Sequence, residues 1–226
     1  MKLDAEGLKN RGAWKEKGYA LPEYDREAMA AETKKNPVWL HLGAGNIFRA
    51  FQANAAQKML NEGTSKTGII VADGFDFEIV EKMYRPHDNY SILVTLKANG
   101  SIEKTVIGSI AESCMMDSAN EEEFNRMKEI FRSPSLQLVT VTITEKGYSL
   151  VDGKGVMSDA VAKDLHEGLK EPASYIGRLT ALLYERYLAG QYPLALVSMD
   201  NCSHNGEKLH AALQAYVDGW SEKGFV

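Results

Sequence analysis

Apolar residues fall along this chain in short runs, separated by polar segments whose period changes from two or continuous to helical. Residues 1–36 are charged and broken by Gly7, Gly12, Gly18 and Pro22, a pattern that predicts an arm or short helices outside the core. Pro37–Leu42 is the first apolar run, stopped by Gly43, and reads as a buried parallel strand. From Asn46 to Leu60 a helical period places Phe48, Phe51, Ala55 and Met59 on one face, with Gly63 just beyond the end. Gly68–Asp73 predicts a second buried strand, and Phe75–Tyr84 a helix that Pro86 ends. Tyr90–Leu96 and Ile102–Ile110 predict two strands joined through Asn99-Gly100, a strong hairpin signal. A charged amphipathic helix follows at Asn120–Phe131, then a strand rich in Val, Thr and Ile at Leu136–Ile143. The rest reads as a turn at 152–155, a helix at Ser174–Leu188, a strand at Leu194–Met199 and a helix at Glu207–Trp220.

Strands alternating with helices, interrupted by one hairpin, predict an α/β, Rossmann-like fold. It has a mainly parallel sheet, helices on both faces and an inserted β-hairpin. The expected organisation is an N-terminal arm, 1–36, followed by one nucleotide-binding domain, 37–226. Such sheets bind ligands at the carboxyl ends of their strands. Four segments therefore hold the candidate chemistry: Gly43–Asn46, Asp73, Thr144–Tyr148 and Asp200–Asn205.

Composition narrows the classes. The chain has 226 residues, 44% apolar and 25% charged, which are globular proportions. A net charge of -5 argues against a nucleic-acid partner, which needs cations to neutralise phosphate. No apolar run approaches the roughly 20 residues of a membrane helix. The polar start, 1–17, lacks a signal-peptide core, and two cysteines make no disulfide framework. The expectation is a cytoplasmic protein with no membrane partner. Cys202, His204 and His210 fit no zinc spacing, so no metal site is expected.

Gly43-Ala44-Gly45 lies between a strand and a helix. The first glycine permits a tight turn, and the second lets a pyrophosphate approach the backbone at the helix N-terminus. Phe48 stands where the usual third glycine would be, and Arg49 can add a charge-assisted phosphate contact. Asp73, at the end of the second strand, can accept both ribose hydroxyls of NAD and repel a 2′-phosphate. Asp76 competes for that role, and a helix cap competes with the role itself. Asn201 can donate a hydrogen bond to a developing alkoxide or cap the following helix.

Three segments together resemble a known family. His41-Leu42-Gly43-Ala44-Gly45-Asn46-Ile47-Phe48-Arg49-Ala50-Phe51 closely resembles the nucleotide loop of the polyol-specific long-chain dehydrogenases, the mannitol dehydrogenase family. Thr142–Tyr148 and Ser198–Gly206 resemble two further signatures of that family, in the expected order. The resemblance implies NAD as cofactor, held by Gly43, Gly45, Asn46, Ile47, Phe48, Arg49, Asp73, Glu145 and Lys146. It implies Asn201 as the catalytic amide and a small sugar acid or polyol as substrate, with hydride transfer between NAD and C5 of D-mannonate giving D-fructuronate. It also implies a second, helical domain carrying Lys-x-x-x-x-Asn-x-x-His, in which the lysine is the general base. No asparagine here has that surround, so the chain reads as the N-terminal half of a longer enzyme, with an apolar face near its last helix that favours self-association.

Other readings stay open on the residues alone. A polyol or sugar-phosphate dehydrogenase of the same family shares the first loop. A methyltransferase or a non-catalytic nucleotide-binding module also uses a Gly-rich loop after its first strand. The short-chain dehydrogenases are excluded, because no Tyr has Lys four residues later.

Overall fold

Parallel strands with helical crossovers frame the structure, a computed structural model describing residues 1–226. It comprises two units, Met1–Ser113 and Cys114–Val226.

In the first unit the arm is more structured than expected. It forms α1 (Ala5–Leu8), α2 (Arg11–Glu16), β1 (Tyr19–Ala20) and α3 (Arg26–Lys35). Asp4, Asn10 and Asp25 cap the three helices by accepting the N–H of Gly7, Ala13 and Ala28. The arm also belongs to the core. Leu8, Trp14 and Leu21 cluster with Tyr90 and Val106, and Met29 and Ala30 with Leu60 and Ala111. Apolar residues this sparse among charges give no periodic signal, which is why the pattern left the arm outside.

β2 (Trp39–Leu42) and β3 (Ile69–Asp73) pair in parallel, Leu40 opposite Ile70 and Leu42 opposite Ala72. Both are buried on both faces, as continuous apolar runs require. The helix predicted between them is broken into α4 (Asn46–Ala50) and α5 (Gln52–Asn61) at Phe51, where φ is -107° and ψ is -68°. The break rotates the buried face onto Gln52, Ala53, Ala56, Gln57 and Leu60. Phe51, Ala55 and Met59 are exposed, so the stripe read with Phe48 is not the core face. Gln57 escapes the pattern because its amide is satisfied inside. It donates to Val106 O at 2.7 Å and accepts from Gly108 N at 2.6 Å.

After β3, α6 (Phe77–Ile79) runs into a π-helical turn, Val80–Tyr84, and a 3-10 turn, Arg85–His87, in place of one regular helix. The hairpin is β4 (Ser91–Leu96) with β5 (Ile102–Ile107), in register Leu96 to Ile102, and β1 adds in parallel beside β5. The strand predicted to reach Ile110 stops at Ile107. Gly108 turns the chain where an added Cβ would meet Pro22 and Tyr90 at 2.9 and 3.0 Å. A separate strand, β6 (Ile110–Met115), then begins, and the carbonyl just before it, on Ser109, accepts Ile69 N–H at 2.9 Å.

The second unit contains α7 (Glu121–Arg132), β7 (Leu138–Val141), a 3-10 turn at Glu145–Tyr148, α8 (Asp159–Glu167), α9 (Tyr175–Gly190), β8 (Ala195–Ser198) and α10 (Asn205–Glu222). β7 and β8 pair in parallel, Leu138 with Ala195 and Val141 with Ser198. α8 has no counterpart in the pattern reading. It is anchored by buried Asp164, which accepts from Ala173 N at 2.6 Å, Ser174 N at 2.9 Å and Tyr216 Oη at 3.1 Å. Arg186 is only 3% exposed and has no carboxylate beside it. Its guanidinium donates to the carbonyls of Phe131, Ser133, Leu136, Tyr192 and Pro193 at 2.7–3.0 Å. The Rossmann-like α/β class expected from the pattern is the class observed, and no helix is long and apolar enough to cross a membrane.

Candidate functional site

In the first unit the candidate site is the loop from β2 into α4. Gly43 has φ 126°, a conformation closed to side chains, so the turn itself requires glycine there. Gly45 differs. Its φ is -71° and ψ -178°, which any residue adopts, and an added Cβ would meet nothing within 4 Å. Neither conformation nor packing explains glycine at 45. Open space above the backbone is what a closely approaching ligand needs.

The peptide between these glycines is pinned at both ends. Ala44 N–H donates to Asp73 Oδ2 at 2.9 Å, and Ala44 O accepts from Tyr84 Oη at 2.7 Å. Burial pushes the Tyr84 hydroxyl well above the usual range, so it stays a donor. No side chain caps α4, which leaves its first N–H groups for a ligand. Arg49 donates to Asn46 Oδ1 and stands 5.6 Å from the Tyr84 ring, with no carboxylate partner. Phe48 faces the core and stacks on His41 with centroids 4.3 Å apart, so it can offer a ligand only its backbone. Ile47 is 65% exposed beside the loop.

Asp73 is committed to the backbone. Besides Ala44 it accepts Phe75 N–H and Asp76 N–H, both at 2.8 Å on Oδ1, and it is 9% exposed. Asp76 is exposed, with Oδ1 accepting Ile79 N–H at 3.3 Å.

In the second unit the structure brings the ends of β7 and β8 together. Asp200 accepts Ile143 N–H and Thr144 N–H, each at 3.0 Å, and the hydroxyl of Tyr148. Burial, then the bond to Asp200, drives the Tyr148 hydroxyl well above its ordinary value. Asn205 Nδ2 donates to Asp200 O at 2.6 Å. Asn201 is exposed and makes no hydrogen bond within the chain, so its amide is free to donate. Glu145 pairs with Lys208 at 2.5 Å, while Lys146 is exposed. Tyr84, Asp200, Tyr148 and Lys208 were not singled out from the sequence. Asp200 and Tyr148 stand inside the two polar signatures, so that signal was present. Tyr84 and Lys208 act across the fold on partners 40 and 63 residues away, which no local pattern reveals.

The profile of the mannitol dehydrogenase Rossmann domain matches residues 38–223. A D-mannonate oxidoreductase of Thermotoga maritima is 44% identical over all 226 residues, which cover 42% of that protein. A mannitol 2-dehydrogenase of Cereibacter sphaeroides is 29% identical over 213 residues, covering 42% of it. Among solved structures, Pseudomonas fluorescens mannitol 2-dehydrogenase, in ternary complex with NAD and D-mannitol, superposes with a TM-score of 0.80 at 25% identity. That match covers 99% of this chain and 43% of the other. The chain thus spans about two fifths of the length of these relatives, 42–43% by the shares covered.

Proposed function

The chain belongs to the mannitol dehydrogenase family of oxidoreductases, and on that premise we propose that it is the nicotinamide-binding part of an enzyme transferring hydride between NAD and a sugar acid, the D-mannonate and D-fructuronate pair. The observation that carries the reading is Gly45, a glycine that neither backbone nor packing demands, in the loop that meets the pyrophosphate in this fold. The substrate follows the relative that matches the whole chain, a D-mannonate oxidoreductase.

Each residue then has a task. Gly43 makes the turn, and Gly45 leaves room for the pyrophosphate against the N–H groups of Asn46, Ile47 and Phe48. Arg49 adds charge to that contact. Asp73 holds the loop through Ala44, and Asp76 presents an exposed carboxylate from the same strand end. Asp76 then sets NAD over NADP, because a 2′-phosphate meets its exposed carboxylate, while Asp73 acts through the shape of the loop. By the family resemblance, Glu145 and Lys146 would also serve the cofactor, and Asn201 would donate to the reacting oxygen. When bound, the nicotinamide accepts or returns the hydride. The proton needs a base outside these residues, since the Lys-x-x-x-x-Asn-x-x-His set is not among them.

The test is a fluorescence titration of the chain with NADH, NADPH and S-adenosylmethionine. NADH should saturate, NADPH should bind more weakly, and S-adenosylmethionine should not bind. Saturation by S-adenosylmethionine, or by neither dinucleotide, overturns the reading.

A further inference from the structure

Thr144 has φ 67° and ψ 163°, a backbone region that side chains avoid and glycine accepts. Nothing in its own contacts rewards this. Its side chain is exposed, and no side-chain hydrogen bond caps the turn it opens. The strain is held from elsewhere, by one carboxylate on another strand end. Asp200 Oδ1 takes Thr144 N–H at 3.0 Å, Oδ2 takes Ile143 N–H at 3.0 Å, and Tyr148, at the far end of the turn, donates to the same Oδ2. Tyr148 Oη also lies 2.7 Å from Ser198 Oγ, on β8. The carboxylate therefore grips the turn at both ends, with Glu145, Lys146 and Gly147 between its anchor points.

The grip extends to the other strand end. The backbone oxygen of Asp200 accepts Asn205 Nδ2 at 2.6 Å, and Asn201 follows Asp200 directly in the chain. The next distorted residue, His204, has φ 55°. Of the two left-handed residues near the half-buried Asp200 carboxylate, His204 has a local contact, its Nδ1 lying 3.3 Å from Glu207 Oε1, whereas the exposed Thr144 side chain gives no structural reason for its conformation. Strain of this kind persists only where the surroundings over-determine it, and it concentrates at ligand clamps.

We propose that Asp200 is a positioning residue: it holds the Thr144–Tyr148 turn in a ligand-ready shape, so that Glu145 and Lys146 meet the nicotinamide half of the cofactor beside Asn201. This rests on the cofactor reading above and adds to it the group that sets the turn. Asp200 touches neither cofactor nor substrate in this scheme. It acts through the backbone of Thr144.

The proposal is tested on the 226-residue chain with Asp200→Asn, Thr144→Gly and the double variant, each titrated with NADH and with ADP-ribose, which lacks the nicotinamide. Asp200→Asn should weaken NADH about tenfold, the scale of one hydrogen bond to a charged group, and leave ADP-ribose unchanged. Thr144→Gly alone should bind like the wild type, because glycine adopts the turn unaided. In the double variant it should restore most of the lost NADH affinity, a rescue that a merely structural role for Asp200 does not allow. If Asp200→Asn fails to melt cooperatively, Tyr148→Phe removes one of the three donors and should show the same split with a smaller loss. Unchanged NADH affinity, a parallel fall in both ligands, or a double variant no better than the single overturns the proposal. A wild-type chain that binds neither ligand overturns the cofactor reading itself, and this inference with it.

Discussion

Ala44 is tied to Asp73 by a 2.9 Å hydrogen bond from its backbone N–H, between residues 29 positions apart. The bond joins the loop after β2 to the acid that ends β3, so the shape of that loop depends on one carboxylate. The Tyr84 hydroxyl completes the arrangement from the other side of the same peptide, at 2.7 Å.

The first expectation concerns Gly45. A valine there meets no atom within 4 Å at Cβ and sits at an ordinary φ. Gly45→Val should therefore keep the melting temperature of the parent and lose NADH binding, because the side chain fills the space for the pyrophosphate. Calorimetry and a titration on the same sample check both halves. Unchanged affinity would remove the loop from the site.

Asp73 and Asp76 should separate by variant. Asp73→Ala leaves three N–H groups without their acceptor and should cost about 1–3 kcal/mol of stability. It should weaken NADH and NADPH alike through the loop. Asp76→Ala removes an exposed acid with one long bond to Ile79, so stability should hold while the NADH preference relaxes. Paired urea curves and titrations with both cofactors decide. A preference untouched by either variant would place discrimination elsewhere.

Arg186 should be a stability residue without a catalytic role. It serves five backbone carbonyls inside the second unit, and burial pulls its guanidinium below the usual value. Arg186→Met strands those carbonyls and should cost at least the roughly 1–3 kcal/mol of one unsatisfied buried acceptor. Arg186→Lys keeps the charge but loses the planar fork and should fall between. Urea denaturation of the three proteins measures the order.

The Glu145–Lys208 pair gives a pH expectation. Lys208 holds the Glu145 carboxyl below its ordinary value, and Glu145 holds Lys208 above its own. A lowered acid contributes above its unfolded value and loses that as pH falls through the folded one. A raised lysine contributes below its unfolded value and loses that as pH rises through the folded one. The pair's contribution to stability should therefore stay flat between about pH 6 and 9 and change only outside it. Both groups are exposed, so added salt should mute the effect. A titration midpoint near neutrality would contradict this assignment.

Much of the frame could be read from the chain because burial and hydrogen bonding act locally there. β2 and β3 are apolar on both faces, and the hairpin turns at Asn99-Gly100 with Gly100 at φ 82°. The glycines of the loop and the two polar signatures also stood out. What stayed hidden depends on distant partners. Gln57 is polar yet buried, and Phe51 is apolar yet exposed, because the helix breaks between them and the amide finds Val106 and Gly108. Trp14 joins a buried cluster that includes the distant Tyr90 and Val106. Asp73 reads from the sequence as a ribose acid or a helix cap, but the cap of α6 is Asp76, and the Asp73 carboxylate instead holds the N–H groups of Phe75, Asp76 and Ala44 ahead of that helix.

The residues of this chain should hold the nicotinamide cofactor without completing the reaction alone. The measurement is NADH consumption by the 226-residue chain with D-fructuronate, at an NADH concentration that saturates its fluorescence. Bound NADH and no turnover are expected. Acid–base help of about 10²–10⁴ in rate is missing with the lysine motif. Turnover at an ordinary rate of about 1–10³ per second would contradict it and place a base within these residues.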